Sequence, residues 1–261
     1  MTTARHSGIA AASVENRDAP GPFLIVCEHA SNRFPAAFGM LGLPAAARRA
    51  HIAWDPGALG LARALARRLS APLVAAQVSR LIYDLNRPPH SPGAMTAKSE
   101  TYEIAANAAL SVAERQRRTE AVYLPFHAVL RAEIARRLAA GTPPVMVTVH
   151  SFTPVWFGKP RSVEFGVIHD ADPSLAHAVV AEAKARTALD CRLNEPYSAA
   201  DEVTHTLRLQ ATPYGLLNVM LEIRNDLIAD AAAQEAMAER LAPVLTAALA
   251  KVREPRREAI A

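Results

Sequence analysis

Short apolar runs rich in β-branched residues alternate along this 261-residue chain with stretches whose apolar residues recur at helical spacing. No other feature restricts the fold as much. Phe23-Leu24-Ile25-Val26 is the first such run, and Leu59, Ala62, Leu65, Ala66 and Leu69 then mark a helix over 57–69. Strands are predicted at Leu73 to Val78 and at Leu81-Ile82-Tyr83, the second running into Asp84-Leu85-Asn86-Arg87 before Pro88-Pro89 forbid regular structure. A helical stretch from about Ser111 to Ala140 contains Pro125, which removes a hydrogen bond and crowds the preceding turn, so a bend or break is expected there. Val145 to Val149 and Glu164 to Ile168 read as strands, and Asp172-Pro173 opens a helix through Ala185. Leu216 to Ile223 is the last strand, followed by helix from about Asp230 to Lys251 with a bend at Pro243. Near-continuous apolar strands in β-then-α order predict an α/β fold, a three-layer sandwich around a mostly parallel, mixed sheet.

Length and composition set the frame for function. One α/β domain is expected over 21–252, with a disordered tail over 1–20 and a second tail over 253–261. Apolar residues make up 51% and charged ones 21%, the balance of a soluble globular chain. The net charge of +4 comes almost wholly from arginines interspersed with acids, and no basic stripe interleaved with aromatics is present, which argues against nucleic acid as a partner. Cys27 and Cys191 have neither metal-ligand spacing nor the density of a disulfide framework, so a reducing compartment is expected. The first twenty residues lack the apolar centre of a secretion signal, and no later run is long enough to span a bilayer. A cytoplasmic protein with no membrane partner is the resulting expectation.

Polar residues able to do chemistry stand where apolar strands hand over to loops, the edge at which open α/β sheets build their sites. Glu28 and His29 follow the first strand, and His150 follows Val145 to Val149. A zinc hydrolase needs about three N or O ligands and one open position. His29 and His150 are candidates for two of them, although a strand-end histidine also serves as a hydrogen-bonded structural residue. Glu222 lies inside Val219-Met220-Leu221-Glu222-Ile223, where a carboxylate is costly unless paired or functional. A salt bridge with Arg224 is one reading. A general base beside an anion-binding arginine is the other, because residues two apart on a strand share a face. His127 falls on the helical stripe Tyr123, His127, Leu130, Ile134, either as a packed helix residue or as a group that touches substrate or orients a metal ligand.

His29 just after an early strand, Asp84-Leu85-Asn86-Arg87, Val149-His150-Ser151 and Leu221-Glu222-Ile223-Arg224 follow one another in an order that resembles the zinc carboxypeptidase superfamily. A narrower likeness is carried by Cys27-Glu28-His29-Ala30-Ser31-Asn32, Trp54-Asp55-Pro56-Gly57-Ala58, Ser79-Arg80 with Asp84-Leu85-Asn86-Arg87, Tyr123 to Leu130 with His127, and Pro213-Tyr214-Gly215 leading to Glu222-Ile223-Arg224-Asn225. Within it the chain is similar to the N-formylglutamate amidohydrolase family over roughly Phe23 to Leu245. The resemblance implies a carboxypeptidase-like fold, one divalent metal ion (zinc), a place in amino-acid catabolism and a small anionic N-acyl amino acid as substrate. It implies His29 and His150 as metal ligands, Glu222 as the group that takes a proton from water, and Asn86 with Arg87 as the binder of a substrate carboxylate. Carboxypeptidases use a His-x-x-Glu pair, whereas the residue three beyond His29 is Asn32, a poor zinc ligand, so a third ligand is needed from elsewhere. Asp55 is the first choice and Glu28 the second, the competing reading of Asp55 being a helix N-cap ahead of Pro56. Arg80 or the metal is expected to stabilise the oxyanion, and Arg87 and Arg224 to clamp substrate carboxylates. Two rivals stay open: another N-acyl amino acid deacylase of the succinylglutamate or aspartoacylase kind, and a binding protein that keeps the fold without catalysis.

Overall fold

The structure, a computed structural model, describes residues 8–258, with side chains through 254. Seven strands form its central sheet: β1 Ala12–Glu15, β2 Phe23–Cys27, β3 Leu73–Ala76, β4 Val145–Phe152, β5 Phe165–Ile168, β6 Cys191–Leu193 and β7 Asn218–Arg224. Their order across the sheet is β1-β3-β2-β4-β7-β5-β6. The central pairs β3-β2, β2-β4 and β4-β7 are parallel, as is β5-β6, whereas β1-β3 and β7-β5 are antiparallel. The fold is therefore α/β with a mostly parallel mixed sheet. Every residue of β2, β3, β4 and β5 is buried, as expected of strands covered on both faces.

Helices α1 Ala58–Arg68, α4 Ser174–Arg186 and α5 Ala231–Glu258 pack side by side, with Leu61, Leu65, Val179, Leu241 and Leu245 wholly buried. A separate layer holds α2 Val112–Arg118 and α3 Leu124–Ala139, the latter burying Phe126, Leu130 and Ile134 at four-residue spacing. Between α2 and α3 the chain widens into a π-helical turn over Thr119–Tyr123, just where Pro125 withholds a backbone donor, so the expected break is a local rewinding. At Pro243 no interruption occurs, and α5 continues as one helix past the expected end at Lys251.

Three expectations are corrected here. Residues 12–15, expected to be disordered, form an edge strand, because pairing with β3 satisfies their backbone and Arg63 Nη2 holds Glu15 at 2.8 Å. The backbone of 253–258 is helical rather than a tail, while residues 1–7 and 259–261 lie outside the described residues. Leu81-Ile82-Tyr83 is a buried turn: Ile82 N–H donates to the Ser79 carbonyl at 2.9 Å, and the apolar side chains anchor the loop instead of extending it. No described helix is long and apolar enough to cross a membrane.

Candidate active site

The site stands at the carboxyl end of the parallel strands. His29 lies two residues past the end of β2, and its carbonyl accepts the Asp55 N–H at 3.0 Å, which draws the 53–57 loop over the end of that strand. Gly57 then turns the chain into α1 with φ of +82°, and a Cβ there would lie 2.4 Å from the Ile228 carbonyl oxygen. No side chain caps α1, so the N-cap reading of Asp55 fails and its carboxylate is free to point at the histidines. His150 lies within β4, two residues before its end, and faces Glu222 in register on β7.

The imidazoles meet edge to face with centroids 4.8 Å apart. Nδ1 of His150 is 3.2 Å from Nδ1 of His29 and 2.9 Å from Oδ2 of Asp55, and His29 Nδ1 is 3.3 Å from that same oxygen. Behind this triangle, His29 Nε2–H donates to Asp84 Oδ1 at 2.8 Å. His150 Nε2 lies 3.2 Å from Glu28 Oε2, at ion-pair distance though without hydrogen-bond alignment. The other Asp55 oxygen, Oδ1, accepts from Arg80 Nη1 at 3.3 Å, while Arg80 Nη2 donates to Asp84 Oδ2 at 2.6 Å.

This donor set fits a cation. With a proton on each Nε2 facing a carboxylate, both Nδ1 atoms turn lone pairs toward each other and toward a carboxylate oxygen, an arrangement that repels itself unless positive charge sits between. Separations of 2.9 to 3.3 Å agree with the edge of about 3.3 Å spanned by ligands at about 2.0 Å on a tetrahedral centre. Electrostatics agree. Against burial, Glu28 and Asp55 raise the His150 pKa well above its ordinary value, and against burial and the Arg80 charge, Asp84 and Asp55 raise that of His29. Opposing burial, the histidines hold the Asp55 carboxyl below the usual range, as Arg80 and His29 do for Asp84. Positive charge is what this corner of the protein binds, as protons or as metal.

A cavity of about 260 Å³ opens over the triangle, lined also by Glu222, Arg80, Arg87, Trp156 and Tyr197. Glu222 is 6% exposed, its Oε2 has no hydrogen-bond partner, and burial, reinforced by Asp55 and opposed by His150, pushes its pKa up to about 7. A buried carboxyl poised between its two protonation states beside a cation site is suited to proton transfer.

The sequence model of the N-formylglutamate amidohydrolase family matches residues 21–229. The chain belongs to that family. It is thereby a member of a family of hydrolases that act on amides. Among solved structures, the chain is similar to a gene product of Agrobacterium tumefaciens at 52% identity, with 93% of this chain and 96% of that chain covered and a TM-score of 0.91. An N-formylglutamate amidohydrolase from Ralstonia eutropha shares the fold at 20% identity, with 96% and 100% covered and a TM-score of 0.69. No curated protein matches.

Within this family member, the structure brings His29, His150, Asp55, Glu222, Arg80, Asn86 and Arg87 to one cavity. Glu28 stands behind His150 instead of beside Asp55. Two expected substrate binders are elsewhere. Arg224 pairs with Asp226 at 2.8 Å and Glu164 at 3.5 Å and donates to the Ser162 carbonyl, so its charge is spent on structure outside the cavity wall. His127 is buried under the site between the Leu85 carbonyl, 3.1 Å from Nε2, and the Gln210 amide, 3.1 Å from Nδ1. Asn86 lines the cavity, yet its amide is committed to the Val203 carbonyl and the Thr206 N–H and staples two loops together. Asp84 was legible only as an acid amid arginines, and its bond to His29 depends on a turn that strand-like residues disguise.

Proposed function

We propose that the protein hydrolyses the N-formyl amide of an acidic amino acid such as N-formylglutamate, with His29, Asp55 and His150 holding one zinc ion. The observation that carries this reading is the convergence of three lone-pair donors within 3.3 Å of one another, beside a buried carboxyl without a partner. When bound, the dication supplies Lewis acidity and water acidified toward neutral pH. Glu222 accepts the proton that water gives up as its oxygen adds to the formyl carbon. The same carboxyl then hands that proton to the nitrogen as the C–N bond breaks, releasing formate and the free amino acid. Its pKa of about 7 suits both transfers. Arg80, anchored by Asp55 and Asp84, turns positive charge toward the carbonyl oxygen as negative charge develops there. Arg87 receives the substrate α-carboxylate: among the described residues its guanidinium donates to the carbonyls of Asn86 and Glu202 and forms no ion pair.

Hydrolysis of N-formyl-, N-acetyl- and N-succinyl-glutamate with and without chelator tests the reading. Turnover is expected to be highest with the formyl compound and to vanish with chelator. Glu222→Gln is expected to retain about one metal per chain while losing roughly 100- to 10,000-fold in kcat. Wild-type-like turnover by that variant would remove Glu222 from the reaction, and full metal content after His150→Ala would remove the metal assignment.

A further inference from the structure

Val155–Trp156 pairs with Lys159–Pro160 in a hairpin of its own, apart from the central sheet. Trp156 lines the cavity, whereas its neighbours Val155 and Phe157 are 47% and 57% exposed, so this hairpin is the partition between the cavity and water. A pair of such short strands is marginal by itself, and what holds it decides whether the partition stays in place. At the turn, the Phe157 N–H donates to Glu100 Oε1 at 3.2 Å, and among the described residues this is the one hydrogen bond that joins 155–160 to a distant part of the chain. Glu100 Oε2 lies 3.1 Å from Nε2 of His51, whose ring meets Trp156 edge to face with centroids 6.1 Å apart and also lines the cavity. Glu100 itself sits in the turn of a second small hairpin, Lys98–Ser99 with Tyr102–Glu103, and Ser99 is a further part of the cavity wall. One carboxylate thus ties three pieces of that wall together.

Glu100 with φ of +51° and Phe157 with φ of +46° both take left-handed backbone, which is costly for residues that carry a Cβ, and Gly158 follows at +74°. Strained backbone on both sides of a single bond persists only while its surroundings hold it. We propose that 155–160 is a gate in the wall of the cavity and that Glu100 is the positioning residue that latches it. Opening breaks one charge-assisted hydrogen bond and the contact of Trp156 with His51, lets two residues leave a costly backbone region, and leaves the central sheet untouched. The base stays anchored by Arg161, whose guanidinium carbon lies 5.6 Å from the ring centroid of Phe152 on β4 and whose Nη1 donates to the Tyr197 hydroxyl at 3.0 Å. The gate goes beyond the reaction proposed above and does not depend on it.

Hydrogen–deuterium exchange of the full chain reads the latch directly. In Glu100→Ala the amides of 155–160 are expected to exchange about 10-fold faster or more than in the wild type, while those of β2, β4 and β7 keep their rates. Glu100→Gln, whose amide oxygen still accepts from the Phe157 N–H, should fall between the two, a rescue that a general loss of stability would not produce. Glu100→Asp, too short by one methylene to bridge Phe157 and His51, gives the same reading if the alanine variant does not fold. Wild-type exchange over 155–160 in the alanine variant, or an equal acceleration in the central strands, overturns the latch. Passage is the second readout: a chelator should strip zinc from the loaded Glu100→Ala protein about 10-fold faster than from the loaded wild type, the three ligands being unaltered. Equal rates would overturn the gate. If the wild type took up no zinc, the metal reading of the site would fail, and the exchange comparison would still decide the latch.

Discussion

His127 offers the sharpest test of how burial acts in this fold. The imidazole is 5% exposed, its Nε2–H donates to the Leu85 carbonyl, and its Nδ1 accepts from the Gln210 amide, so the neutral ring has both nitrogens satisfied. Protonation would place an N–H against the Gln210 donor in an apolar surrounding next to His205. Burial, with a smaller push from His205, accordingly lowers the His127 pKa from 6.5 to about 4. In the unfolded chain the ring takes its proton near 6.5, and in the folded chain near 4. Between those values the unfolded state carries more protons, so stability rises with pH and is lost as the pH falls from 6.5 toward 4. The loss ascribable to this ring reaches roughly 2–3 kcal/mol at pH 4.5.

His127→Gln keeps a donor for Leu85 and cannot titrate. At pH 7 the variant should be less stable by about 1–2 kcal/mol, the cost of an imperfect fit and of the acceptor that Gln210 loses. By pH 4.5 its disadvantage should have shrunk by roughly 2–3 kcal/mol, leaving it as stable as the wild type or more so. Urea unfolding of both proteins at pH 7.0, 6.0, 5.0 and 4.5 measures the difference, in which the titration of groups common to both cancels. Parallel stability curves across that range would show that the ring is not held neutral by burial.

Glu28→Gln removes the charge behind His150 while keeping the shape, and metal affinity measured against a competing chelator should fall by about 10- to 100-fold. Unchanged affinity would leave Glu28 without a part in orienting the ligand. Gly166 faces Glu222 across the β5-β7 pair, and a Cβ there would lie 2.1 Å from the Glu195 carbonyl oxygen and 3.2 Å from Glu222 Cβ. Gly166→Ala should therefore cost about 1–3 kcal/mol in stability and lower kcat by shifting the base, and a thermal melt and turnover equal to the wild type would refute the close approach.

Periodicity carried the α/β plan because strands covered on both faces must be apolar throughout, as β2 and β4 are, while helices covered on one face repeat every three to four residues, as Leu61 and Leu65 do. It missed β1, whose half-exposed residues owe their order chiefly to pairing with β3, and misread Leu81-Ile82-Tyr83, since apolar residues that anchor a buried turn look like a strand.

Chemistry divides in the same way. A histidine or carboxylate beside an apolar strand is visible in one dimension because burying it without a partner is expensive, and that physical oddity marks His29, His150 and Glu222 in the sequence. Which partners relieve the expense is a matter of three-dimensional neighbours far apart along the chain. Folding aims Asp55 at both imidazoles instead of at the start of a helix, sets Asp84 and Glu28 behind them and gives Arg224 to two surface acids. Residue type records what a group is able to do; only the direction of its side chain settles with whom, because ion pairing and hydrogen bonding act over a few ångströms and are blind to separation along the chain.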